Sequence, residues 1–192
     1  MSTRFLVAAL LLAASSGALA LNLVANPDFD SNLDGWTTST QNGGGAYRDC
    51  CFGSPDSGTL RLDATNFTAI AGATQCVDVH AWTTIDFALR YFANYAGGYH
   101  QFKLDIYDAP DCTGNVLDTL YPNEAAAIEV DGAPAAGWYE AGDYGFVLAP
   151  GSMSAHIDLG VAGTPTTISG YMIDHVQVGP LEEIFRDNYE AN

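Results

Sequence analysis

The chain has 192 residues, with 23 acidic side chains against 6 basic ones, a formal charge of −17, and 48% hydrophobic residues. A surface this negative repels phosphate backbones and anionic lipid headgroups, which argues against nucleic acid and membrane surfaces as partners and leaves neutral sugars and cations open.

Residues 1–20 read as a secretory signal: Arg4 gives one positive charge, Phe5 to Ala14 is an uncharged apolar run, and Ala18-Leu19-Ala20 offers the small residues of a cleavage site. The run is shorter than the roughly 20 apolar residues of a membrane-spanning helix, so no membrane insertion is expected. Arg4 is the only charge in this segment, so the net charge of residues 21–192 becomes −18. The expectation is a secreted protein, extracellular or periplasmic, with one domain over residues 21–180 and a short tail, 181–192, after Pro180.

Past the signal, short runs alternate apolar and polar residues between Gly, Asn, Asp and Pro, and helical periodicity is almost absent. In chain order the predicted strands are Thr59 to Asp63, Thr74 to Val79, Thr84 to Phe92, Gln101 to Tyr107, Tyr144 to Leu148, Ser154 to Val161 and Gly170 to Val178. Ile85, Phe87, Leu89 and Tyr91 share one face of the third, opposite Thr84, Asp86, Ala88 and Arg90. Phe102, Leu104 and Ile106 share one face of the fourth. Strands dry on one side must pair two sheets face to face, so the fold class is all-β, a β-sandwich or jelly roll of about eight to ten strands. Asn123 to Gly137, Ala-rich but without caps and ending in breakers, reads as a long loop.

Four cysteines in an exported chain read as two disulfides. Cys76 and Cys112 lie in or just beyond strands and close a long loop, which favours that bridge and leaves Cys50 with Cys51; the two connectivities that cross these pairs stay open. No CxxC spacing is present, and no histidine stands at a ligand spacing from a second one, which argues against zinc.

Both ends of the exported segment carry recognisable pieces. Asn22-Leu23-Val24-Ala25-Asn26-Pro27-Asp28-Phe29-Asp30 is followed by Leu33-Asp34-Gly35-Trp36, and the chain closes on Tyr171-Met172-Ile173-Asp174-His175-Val176-Gln177-Val178. With Ser57 to Leu62 and Thr74 to Val77 between them, these resemble the motifs of carbohydrate-binding modules of families four, nine and twenty-two, jelly rolls of the galactose-binding-like type. The residues themselves ask for a turn at Asn26-Pro27, a core position for Phe29, and freedom at Gly35 to bring Trp36 inward. Asp174 shares parity with Met172, Val176 and Val178, so it is expected on the core side, where a carboxylate needs a partner. The resemblance implies a structural calcium ion held by Asp30 and Asp174 with backbone carbonyls. Here Asp30 stands for the family's Glu and His175 for its second closing acid.

Aromatic residues among Gly, Asn and His mark the candidate ligand surface. Tyr91, Asn94, Tyr95, Tyr99 and Gln101 form the richest run, with Trp82, Trp138 and Tyr47 beside it. Flat rings stack on the C–H faces of sugars, and amides bond their hydroxyls. The expected function is a non-catalytic carbohydrate-binding domain whose partner is a polysaccharide. The competing readings are a cell-envelope or matrix interaction protein on the same fold, and a small glycoside hydrolase.

Overall fold

The computed structural model describes residues 21–50, 58–93, 99–124, 138–163 and 169–180. The predicted signal, the tail from 181, and most of the expected loop, 125–137, lie outside the described residues. All seven predicted strands are present, within a larger set. In order the strands are β1 (Thr37–Gln41), β2 (Gly44–Asp49), β3 (Thr59–Ala64), β4 (Ile70–Asp78), β5 (Thr84–Ala93), β6 (Tyr99–Tyr107), β7 (Val116–Leu120), β8 (Asn123–Glu124), β9 (Trp138–Val147), β10 (Ser154–Ala162) and β11 (Ser169–Gly179). The only helix among the described residues is a single 3-10 turn at Pro110–Cys112, and none is long and apolar enough to cross a membrane.

Two antiparallel sheets face each other. One has the order β1-β4-β10-β6-β7 and the other β2-β3-β11-β5-β9-β8. Period-two alternation sends Phe102, Leu104 and Ile106 of β6 and Ala155, Ile157 and Leu159 of β10 inward, against Leu60, Leu62, Ile85, Phe87 and Leu89 of the facing sheet. All of these are nearly or wholly buried, and each large apolar side chain removed from water contributes about 1.5–3 kcal/mol. At the amino end Asn26 takes a φ of 52°, Phe29 is fully buried, and Gly35 at φ 88° turns Trp36 in against Phe29, ring centroids 5.4 Å apart. That matches the expectation for this opening motif.

Cys76 and Cys112 are bonded, with Cα atoms 5.9 Å apart. Cys50 is also disulfide-bonded; its expected partner, Cys51, lies outside the described residues.

The parity assigned to β11 needs a correction. The pairing with β5 shifts between Asp174 and Gln177, and His175 adopts a φ of 50° there, the mark of a β-bulge. Met172 and Asp174 therefore face out of the sandwich, while Val176 and Val178, past the bulge, join the core. Asp174 is nonetheless fully buried, so its need for partners stands.

Candidate functional site

Residues paired across neighbouring strands point to the same side of a sheet. In the six-stranded sheet Tyr47 pairs with Arg61, Arg61 with Met172, Met172 with Phe92, and Phe92 with Trp138, a single row across five strands on the outer face. At the usual strand spacing it runs about 19 Å. Tyr47 is 43% exposed at one end, its hydroxyl donates to Asp63 at 2.6 Å, and the Arg61 guanidinium lies 5.6 Å from its ring centroid. Burial and the Asp63 carboxylate raise the Tyr47 phenol above its ordinary value, so it stays protonated and donates. At the other end Phe92 and the half-buried Trp138 meet edge-on, centroids 5.9 Å apart. Further along the same face Tyr144 lies over Gly142, where any Cβ would come within 2.6 Å of the ring, and its hydroxyl donates to Glu140 at 2.5 Å.

Of the aromatic residues predicted to bind, the structure brings Tyr47 and Trp138 to the two ends of this row. Tyr91 is different: it is 1% exposed and sits between the sheets against Phe102, Tyr139 and Tyr171. Its parity with Ile85, Phe87 and Leu89 dictates that position, so Tyr91 is a core ring and cannot stack on a ligand at the surface. Trp82, in the β4–β5 connection, packs against the core at the end of the sandwich opposite Trp138. Gln101 is half-buried on β6, in the other sheet. Asn94 and Tyr95 lie outside the described residues; Tyr99 opens β6, and its side chain is outside them too. Sequence reasoning missed Tyr144. Phe92, inside the predicted run from Tyr91 to Gln101, is the next member of the wet series Thr84, Asp86, Ala88, Arg90.

The outer face of the five-stranded sheet is of another kind. Lys103 donates to Asp105 at 2.8 Å and lies 3.5 Å from Asp158, and Thr119 donates to Asp105 at 2.7 Å. The hydrogen bond to Asp105 leads the effects that raise the Lys103 ammonium above its ordinary value. This is a closed polar network.

A third group stands where the first and last segments meet. Leu23 and Val176 donate backbone hydrogen bonds to Val178 and Pro27, and Asn22 adds a side-chain bond to the Val176 carbonyl at 2.8 Å. Beside them Asp28, Asp174 and His175 each offer a ligand atom within 4.8 Å of the others, a group that could hold a metal ion. Of the expected pair, Asp174 belongs to this group and the Asp30 side chain does not. The Asp30 side chain is exposed outside the group, because the left-handed backbone at Phe29 turns the chain there and leaves Asp28 facing Asp174.

No family profile matches the chain, and no curated protein is similar to it in sequence. Its architecture is that of the β-sandwich carbohydrate-binding modules, a jelly-roll type. TmCBM61, solved in complex with β-1,4-galactotriose, superposes with a TM-score of 0.57 at 12% identity, over 84% of this chain and 100% of that one. A family 16 carbohydrate-binding module gives 0.52 at 14% identity, over 84% and 100%. The enzymatically active domain of tailspike protein 4 of bacteriophage CBA120 gives 0.57 at 20% identity over 83% of this chain. It covers 21% of that one, so the chain spans about a fifth of its length. Similarity at these identities establishes the fold.

Proposed function

We propose that this chain is an exported, non-catalytic carbohydrate-binding protein that takes a neutral polysaccharide along the outer face of its six-stranded sheet, across Tyr47, Phe92 and Trp138. The observation that carries the reading is the cross-strand row itself, rings at both ends of a rigid sheet with Arg61 and Asp63 beside them as hydrogen-bonding groups. Such a row offers stacking faces and fixed polar partners together, the two things a sugar ring needs. Resemblance in fold to carbohydrate-binding modules supports the same reading. The excess of acid disfavours polyanions and leaves neutral glycans.

The test is calorimetry and affinity electrophoresis of the protein with neutral plant, fungal and bacterial polysaccharides. Binding to at least one of them, changing little between low and moderate salt, is expected. Failure to retain any of the panel would overturn the proposal. So would binding that collapses with salt, since that would mark a charge-driven partner.

A further inference from the structure

The resemblance implies calcium at the junction of the first and last segments, and the residues at that junction do not fit it. Calcium takes six to eight oxygens, each about 2.3–2.6 Å from the ion, and has little use for an imidazole nitrogen. Here His175 Nδ1 is in direct hydrogen-bonding contact with Asp28 Oδ1, so that carboxylate oxygen already has a partner. The other ring nitrogen lies 3.7 Å from Asp174 Oδ2, and the His175 amide donates to Asp174 Oδ1 at 2.9 Å. Two backbone oxygens of the first segment already face a cationic side chain. Arg48, reaching from β2, donates Nε to the Phe29 carbonyl at 2.7 Å and Nη2 to the Asp30 carbonyl. Room for that guanidinium depends on Gly58, where a Cβ would stand 2.2 Å from the Phe29 oxygen and 2.7 Å from Arg48 Nε.

We infer that the chain holds its first segment in place with its own donors instead of a metal ion: the Arg48 guanidinium ties the carbonyls of Phe29 and Asp30 to β2, and the His175 imidazole, between Asp28 and Asp174, ties the segment to the last strand. Both sets are charge-assisted, the stronger class of hydrogen bond, and Arg48 presents its planar fork to two acceptors at once. The left-handed backbone of His175 belongs to the same device, since the bulge aims the ring at both carboxylates. The fold should then hold its two ends together in calcium-free and chelating media. None of this depends on what the protein binds.

Thermal melting of the full chain in chelator, in millimolar calcium and in zinc tests the inference. The wild type is expected to melt within about 1 °C in all three, and a rise with calcium or zinc overturns it, because an ion bound only to the folded state must stabilise. Arg48→Ala should lower the melting temperature by about 3 °C or more, with no recovery in calcium. If that variant does not fold, Arg48→Lys, which keeps the charge and loses the fork, should show a smaller loss with the same indifference to calcium. His175→Asp puts back the acid that the resembling modules carry, and it should melt higher in calcium than in chelator. Neutral behaviour of Arg48→Ala, or a His175→Asp variant blind to calcium, would count against the inference.

Discussion

The outer faces of the two sheets, built on one core, differ in what stands among their polar groups. On the five-stranded sheet, Lys103, Asp105, Asp158 and Thr119 satisfy one another across β6, β7 and β10. On the six-stranded sheet Arg61, Asp49, Asp63 and the Tyr47 hydroxyl also bond one another, but the row from Tyr47 to Trp138 adds rings to them. A network that already closes on itself has little to exchange with a sugar hydroxyl, since each new bond must replace one that exists. A ring face loses only water when a sugar stacks on it. Position on the pleat therefore decides what an aromatic residue does, and single substitutions can separate the cases.

The largest effect should come from a ring on the inner side. Tyr91→Ala removes a side chain buried among Phe102, Tyr139 and Tyr171, and a loss of about 3–5 kcal/mol in denaturant unfolding is expected. Little change would mean that this end of the core is loosely packed, and the contrast between inner and outer rings would weaken. Replacing both Cys76 and Cys112 by Ser should cost up to about 4 kcal/mol, because the bond closes a loop with a sequence separation of 36. Equilibrium unfolding of this double variant measures how far the five-stranded sheet depends on its covalent tie.

Most of the sandwich was legible because apolar residues recur at every second position of its central strands. β5, β6 and β10 place every second residue in the core between the sheets, which leaves each strand no other register. The strands that escaped notice are edge or near-edge ones. β1 is Thr37-Thr38-Ser39-Thr40-Gln41, exposed throughout, and β7 is largely exposed, so neither carries an alternating signal. The site was half legible. Tyr47 and Trp138 are far apart in sequence and meet on one row only through the order β2-β3-β11-β5-β9, which no local pattern encodes. The bulge at His175 was hidden for a related reason: its parity break shows only when Asp174 and Gln177 are seen against β5.

A middle-sized effect is expected on the polar face. Burial pushes the Asp105 carboxyl up, but the hydrogen bonds from Lys103 and Thr119 outweigh it and hold the group below its ordinary value. A carboxyl lowered in the folded state contributes stability at pH above its ordinary value near 3.8, and that contribution is lost as the pH falls through the folded value. Lys103→Met removes the stronger donor, which should cost about 1–3 kcal/mol at neutral pH and move acid unfolding to higher pH. Tryptophan fluorescence followed down the pH scale checks both. An unmoved acid transition would show that the network is ornamental, and the difference between the two faces would shrink.

The smallest effect on stability should accompany the clearest effect on binding. Tyr47 is exposed and Trp138 half-buried on the outer face, so Tyr47→Ala should change unfolding by no more than about 0.5 kcal/mol and Trp138→Ala by somewhat more. A stacked ring contributes on the order of 1 kcal/mol beyond the area it buries, so each substitution should weaken affinity for a bound polysaccharide about fivefold. The two rings stand at opposite ends of the row and share no partner, so their effects should add in the double variant. Asp158→Asn, on the opposite face, serves as the counterpart and should leave affinity unchanged. If Asp158→Asn abolishes binding while the ring variants keep it, the ligand lies on the five-stranded sheet and the roles assigned to the two faces are reversed. If the ring variants unfold, Tyr47 and Trp138 are structural, and the row ceases to be a binding surface.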